Sequence, residues 1–333
     1  MKKLVGISAL LTSSVFAGSA MADCGSVKIA AMNWASASFL AEVDAFVLSK
    51  GYGCDVEVIP GDTMPTFTSM SEKGTPEVAP EMWTNAYQVA LDAAIAEGKL
   101  TVGNPAPITG LGEGWWILPH TKAAHPELKT VLDIIEHPEL FPNSENPGRG
   151  ALVGCPAGWG CQLATANLYR AFDMEAKGWD LIDPGSAAGL DGSIAKASAR
   201  QENWFGYYWN PTSTVGRFDM QSVPFGVEWG GSENWDNCIV KQVDECADPQ
   251  PSSWTQSSVN TILTAGFAEA QPEAAEYFSA RVFPGEALNS MLVWIDDNQA
   301  VPADAAIEFL KNHQDIWGSW VSEEAANNIK SAL

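Results

Sequence analysis

Short apolar runs and helical repeats alternate along the first third of the chain, with sharp changes of period between them. Residues 27–32 form a near-continuous apolar run of the kind that a strand buried on both faces requires. After Asn33-Trp34-Ala35-Ser36 the apolar positions Phe39, Leu40, Val43, Phe46 and Val47 recur at helical spacing until Gly51 stops them. Residues 54–59 predict a second strand, ended by Pro60. Strand, helix and strand within about 35 residues predict a βαβ unit, and therefore a parallel sheet whose loops gather at the carboxyl ends of its strands, where ligands collect.

Further along, the pattern predicts a helix over 84–97 ended by Gly98, a Gly- and Pro-rich stretch over 101–114, and a short strand over 115–118. A polar loop over 138–150 precedes a strand at 151–154 and a helix over 161–172. Residues 201–209 read as an aromatic strand closed by Asn210-Pro211, and 226–251 as a loop-rich stretch. From residue 257 onward a strand and then helices follow, with Pro272, Pro284 and Pro302 each near a helix start. No internal repeat or low-complexity tract interrupts this order. At 333 residues the chain exceeds what one hydrophobic core of roughly 250 to 300 residues supports, so two domains are expected.

Composition narrows the function. There are 18 Lys plus Arg against 41 Asp plus Glu, a formal charge of -23 with no basic cluster, which argues against nucleic acid and against an anionic membrane surface as partners. Residues 1–22 carry Lys2 and Lys3, then an apolar stretch over 4–17, then Ala20-Met21-Ala22, the pattern of a cleaved secretory signal. Asp23 precedes Cys24, so lipid anchoring is not expected. All six cysteines follow that segment, and an even count in an oxidising compartment predicts disulfides. Proximity in sequence suggests Cys24 with Cys54, Cys155 with Cys161, and Cys238 with Cys246, although sequence alone does not fix the connectivity.

The most informative stretch is Cys155-Pro156-Ala157-Gly158-Trp159-Gly160-Cys161. A disulfide across it would remove about 2.4 kcal/mol of unfolded-chain entropy and hold Trp159 rigid. Gly158 and Gly160 permit close approach of a ligand to the backbone, and a helix starting near Cys161 would offer unpaired N–H groups with partial positive charge. A structural turn with a core Trp is the plainer alternative.

With Gly154 in front, that segment resembles the matching stretch of glycine betaine/proline betaine-binding proteins, the periplasmic subunits of osmoprotectant ABC importers. Tyr207-Tyr208-Trp209-Asn210-Pro211 resembles the family's aromatic strand, and Glu81-Met82-Trp83-Thr84 a third aromatic site. Phe309, His313, Trp317 and Trp320 in the tail extend the likeness over most of the chain after residue 22. The resemblance implies that Trp83, Trp159 and Trp209 wall a cage for a trimethylammonium group. One departure stands out: four residues after the first cage Trp, betaine-binding members carry a histidine that helps hold the ligand carboxylate, whereas Tyr87 stands here. Trp34, Trp115 and Trp116 also fall in predicted ligand-side loops, Glu81 and Glu113 lie beside the cage segments, and Gly160 and Cys161 supply backbone donors. A crowded Trp box with acidic neighbours suits a ligand with little or no carboxylate, such as trimethylamine N-oxide or choline, with betaine, carnitine and dimethylsulfoniopropionate as alternatives. The chemistry favours tryptophan because a trimethylammonium group has no N–H to donate and prefers an electron-rich apolar face.

The resemblance implies a two-lobed α/β periplasmic-binding-protein fold, type II-like. Each lobe would be a mixed sheet flanked by helices, with a hinge and an interlobe ligand cleft. Residues 1–22 would be the signal, 23–118 plus 226–333 lobe I, and 119–225 lobe II. Trp83 would come from one lobe and Trp159 and Trp209 from the other, so that a caged cation draws the lobes together. The expected partners are a membrane permease and its ATPase, the chain itself acting as a periplasmic monomer without cofactor or metal. Two readings from other classes compete. Ser193-Ile194-Ala195-Lys196 matches the S-x-x-K of serine hydrolases but lacks its companion motifs. Clustered tryptophans also suit a carbohydrate-binding module; quenching of Trp fluorescence by sugars alone would favour it.

Overall fold

The computed structural model describes residues 24–333, so the export signal expected at 1–22 lies outside the described residues. One group of strands comprises β1 (Ser26–Met32), β2 (Asp55–Gly61), β3 (Val78–Trp83) and β4 (Leu100–Asn104), joined late in the chain by β10 (Val259–Thr264). They form a sheet in the order β2-β1-β3-β10-β4, parallel except for β10. The other group comprises β5 (Gly112–Ile117), β6 (Gly150–Val153), β7 (Trp179–Ile182), β8 (Phe205–Asn210) and β9 (Gln221–Ser222), in the order β7-β6-β8-β5-β9. Here β6 pairs in parallel with β7 and β8, while β5 runs antiparallel to β8 and β9. Helices flank both sheets, the two-lobed mixed-sheet architecture expected from the sequence. The lobes are joined by two crossovers, 105–111 and 223–258.

The first βαβ unit forms as the periodicity demands. Helix Ala35–Phe46 buries Phe39, Leu40 and Val43, and β1 pairs in parallel with β2 along its length. β2 runs through Pro60 to Gly61 instead of ending before it, because β2 is an edge strand and the missing N–H breaks no second ladder. Helices Pro272–Ala280 and Pro302–Asn312 start on their prolines, and Gly285–Asn298 follows Pro284. The three disulfides join Cys24 to Cys54, Cys155 to Cys161 and Cys238 to Cys246, the nearest-neighbour pairs.

Pairing corrects several expectations. The boundary at 118 leaves β5 with lobe I, whereas β5 pairs with β8 and β9 in the second sheet. The boundary at 226 likewise cuts too early. Asn167 of helix Gly160–Ala171 donates through Nδ2 to the carbonyls of Cys238, Ile239 and Lys241, and so ties the third disulfide to the second lobe. The helix expected over 84–97 is a 3₁₀ turn, Thr84–Ala86, followed by Gln88–Ala96. The aromatic strand begins at Phe205, since helix Ala187–Arg200 runs up to a left-handed Gln201. Ser193 of the S-x-x-K tetrad donates to the Leu190 carbonyl and accepts from the Trp204 indole, so its hydroxyl is used structurally.

Candidate ligand-binding site

The carboxyl ends of the central strands of both lobes meet at one cleft. Trp34 leaves β1 at the N-cap of helix Ala35–Phe46, and Trp83 is the last residue of β3. From the opposite lobe, Trp159 caps helix Gly160–Ala171, and Tyr207 and Trp209 project from β8 beside Glu113 of β5, which lies directly across from Trp209 in the ladder. These side chains, with Thr63, Gly160 and Cys161, line a single narrow cavity between the lobes. Trp34 meets Trp159 edge to face, with ring centroids 5.2 Å apart and planes at 72°; Trp159 meets Trp209 at 5.2 Å and 82°. Two successive near-perpendicular junctions set three of the indoles as adjoining sides of a box, with Trp83 lining it from lobe I.

Contacts between lobes close this box on both sides. Gly158 O accepts from the Met64 backbone N–H at 3.2 Å, and Trp159 Nε1 donates to Asn33 Oδ1 at 2.6 Å. Gly158 adopts φ +92, a left-handed conformation that glycine takes without strain and that turns its carbonyl into this contact. Opposite, Asn85 Nδ2 donates to Glu113 Oε2 at 3.3 Å and Trp235 Nε1 to the Asn85 carbonyl at 3.2 Å. Gly160 touches Ala86 across the cleft so closely that a Cβ there would lie 2.7 Å from the Ala86 Cβ. A second, smaller compartment shares Trp83, Glu113, Gly160 and Cys161 with the first and is lined on its far side by Trp235 and Trp254.

Among the described residues no Lys, Arg or His lines the cavity; its polar features are the Glu113 carboxyl, the Thr63 and Tyr207 hydroxyls and one helix end. Glu113 is partly buried in the cleft wall and accepts from Tyr207 Oη at 2.8 Å. Burial pushes its carboxyl up to about 7, against the lowering effect of the Tyr207 and Trp254 donors. Near neutral pH it can therefore either donate or accept a proton. Gly160 and Cys161 open a 12-residue helix, so their N–H groups have no carbonyl of that helix to meet and carry its partial positive charge into the cavity. Asp62, beside Trp159 and Asn33, is held above the usual carboxylate range by burial, which those two polar neighbours oppose.

The structure thus brings together Trp34, Trp83, Trp159, Trp209, Glu113, Gly160 and Cys161, and keeps four other expected residues off the cavity wall. Trp115 is not in a loop. It lies on the same face of β5 as Glu113 but one step deeper, packed against Phe172, Phe205 and Phe225 in the core of the second lobe. Trp116, the next residue, faces the other side of that sheet. Tyr87 turns inward against Phe67, their centroids 4.6 Å apart. Glu81 is fully buried beneath Trp34 and Trp83 and bonds their indole nitrogens instead of reaching the cavity. Sequence reasoning passed over Thr63, which opens a helix in an unrecognised segment, and Tyr207 as a wall residue. The alternation of β8 carries the signal for Tyr207, since it lies two residues before Trp209.

Two α/β lobes, linked by two crossovers and closed over an aromatic cavity, define a solute-binding protein. The chain belongs to the OpuAC family, the substrate binding domain of ABC-type glycine betaine transport systems, whose family model matches residues 25–312. It is similar to the glycine betaine/carnitine transport binding protein GbuC of Listeria monocytogenes serotype 1/2a (strain 10403S), with 21% identity over 169 residues, 51% of this chain and 48% of that protein. The match thus spans about half the length of that curated relative. Among solved structures, the fold resembles the glycine betaine, L-proline-binding protein ProX from Borrelia burgdorferi: TM-score 0.69, 16% identity, 91% of this chain and 99% of that one. It also resembles a choline binding protein of an ABC transporter in complex with choline, with TM-score 0.70, 17% identity and coverage of 93% and 98%. Lactococcal OpuAC, closed on glycine betaine, gives a TM-score of 0.65 at 17% identity, with 90% and 100% covered.

Proposed function

We propose that this chain captures a small trimethylated amine between its lobes and presents it to the membrane permease of an ABC importer. It would work outside the cytoplasmic membrane, where its three disulfides persist. The observation that carries this reading is the convergence of Trp34 and Trp83 from one lobe with Trp159 and Trp209 from the other around one cavity. Each desolvated cation–π contact contributes about 1 to 2 kcal/mol, so four walls give roughly 4 to 8 kcal/mol, against the ~8 kcal/mol of a micromolar site. Closure that removes the ligand from water supplies the remainder.

The second pole of the ligand is an oxide or a hydroxyl, as in trimethylamine N-oxide or choline, more readily than a carboxylate. Glycine betaine would bring its carboxylate into a wall that, among the described residues, holds Glu113 and no cationic side chain, leaving the N-terminus of helix Gly160–Ala171 and neutral hydroxyl groups to receive it. Calorimetric titration with trimethylamine N-oxide, choline, glycine betaine, carnitine and dimethylsulfoniopropionate tests this directly. One of the first two should bind tightest, and Trp159→Ala or Trp209→Ala should each weaken it by at least about 1 kcal/mol without altering the fold. Unchanged affinity in both variants would remove the cage from this cleft.

A further inference from the structure

We propose that Glu81 is a positioning residue of the aromatic box: it touches no ligand and fixes the Trp34 and Trp83 indoles so that half of the box is already assembled in the open protein. One oxygen does this. Glu81 Oε1 accepts from Trp34 Nε1 at 2.8 Å, from Trp83 Nε1 at 3.0 Å and from Ser36 Oγ at 3.0 Å, while the residue is 0% exposed and absent from the cavity wall. Strand alternation explains the Trp83 contact, because Glu81 and Trp83 share a face of β3; the β1–β3 pairing brings Trp34 alongside.

All four residues belong to the first lobe, so the bracket does not depend on closure. Trp34 meets Trp159 only across the cleft, and lobe opening removes that support. Without the carboxylate each indole would regain rotamer freedom in the open form, and binding would have to order both again.

A carboxyl group is an expensive way to fill a lobe core unless its bonds serve a purpose, since an apolar residue of similar volume packs there without desolvating a charge. Here the buried charges are arranged around it. Arg281, also fully buried, sets Nε 3.0 Å from Asp44 Oδ1 and donates through Nη2 to Pro80 O at 3.1 Å and Thr261 Oγ1 at 2.9 Å. Burial raises the Glu81 carboxyl above its usual range, and its indole and Ser36 donors, with the Arg281 charge, oppose that shift. Arg281 itself pairs with Asp44. An indole N–H donating to a carboxyl oxygen is polarised toward its ring, which suits a face that meets a cation.

This inference rests on the reading of Trp34 and Trp83 as box walls, so the first measurement is made without ligand. In the 15N-labelled full chain, the indole N–H signals of Trp34 and Trp83, assigned from Trp34→Phe and Trp83→Phe, should exchange with solvent at least tenfold more slowly in wild type than in Glu81→Leu. Glu81→Gln, whose amide oxygen still accepts, should keep most of that protection. In calorimetry with whichever quaternary amine or N-oxide wild type binds, Glu81→Leu should lose at least tenfold in affinity and Glu81→Gln distinctly less. Rapid indole exchange in wild type overturns the inference, even should Glu81→Leu fail to fold. Wild-type protection in Glu81→Leu, or equal losses of affinity in both variants, also overturns it. If wild type binds none of the five ligands, the functional reading fails, and the exchange data still decide the role of Glu81.

Discussion

Glu113 gives the sharpest test of ligand class, because its protonation state decides which second pole the cavity favours. Burial holds its carboxyl at about 7, with Tyr207, Asn85 and Trp254 as its polar neighbours, none of them cationic. The protonated acid donates to the oxide of trimethylamine N-oxide; the carboxylate accepts from the hydroxyl of choline and adds a counter-charge. Between pH 6 and pH 8 the protonated fraction of a group titrating near 7 falls from roughly 0.9 to roughly 0.1. An affinity that needs the proton therefore weakens about tenfold, or about 1.4 kcal/mol, and one that needs the charge strengthens by the same factor. Calorimetric titrations at pH 6, 7 and 8 and fixed ionic strength should give opposite slopes for the two ligands, and both slopes should vanish in Glu113→Gln. Stability carries the same signature. The folded pKa lies above the unfolded value of about 4.5, so the protonated group contributes stability that is complete below that value and is lost as pH rises through 7, by about 3 kcal/mol. Glu113→Gln should accordingly melt higher than wild type at pH 8, and the difference should shrink toward pH 5. Parallel slopes for the two ligands, or slopes that survive in Glu113→Gln, would refute the assignment.

The remaining expectations separate box from core and closure from folding. Gly160→Ala places a methyl 2.7 Å from Ala86 across the cleft, so it should lower affinity at least several-fold and leave the liganded chain more open in small-angle scattering, with an unchanged melting temperature. Trp115→Ala, deep in the second lobe, should lose about 3 to 5 kcal/mol in denaturant unfolding while keeping wild-type affinity under folded conditions. Trp159→Ala should show the reverse balance. Replacing Cys155 and Cys161 together with serine should remove about 2.4 kcal/mol of stability by loop entropy, and should weaken binding because the loop that holds Trp159 is freed.

Some of the fold could be read from local pattern because local physics dictates it. The first βαβ unit, the proline-started helices and the short-range disulfides all form between near neighbours in sequence. β3 escaped recognition. Pro80 and Glu81 interrupt its apolar run, and they are tolerated in a central strand because the β10 ladder shifts register between Asn260 and Ile262 beside them. β5 also escaped in part, since Gly112 and Gly114 suggest a loop until β8 pairs with it.

The sequence by itself determined that Trp34 follows a strand and precedes a helix, that a closely spaced cysteine pair frames Trp159, and that a glycine-framed helix start lies next to it. It did not determine which of the 14 tryptophans share a cavity. Trp115 and Trp116 are adjacent in the chain, yet one enters a lobe core and the other the opposite face. Trp34 and Trp209, separated by most of the first two thirds of the chain, line the same box. That choice depends on sheet register and on how two lobes close, and both are set by contacts between residues far apart in sequence.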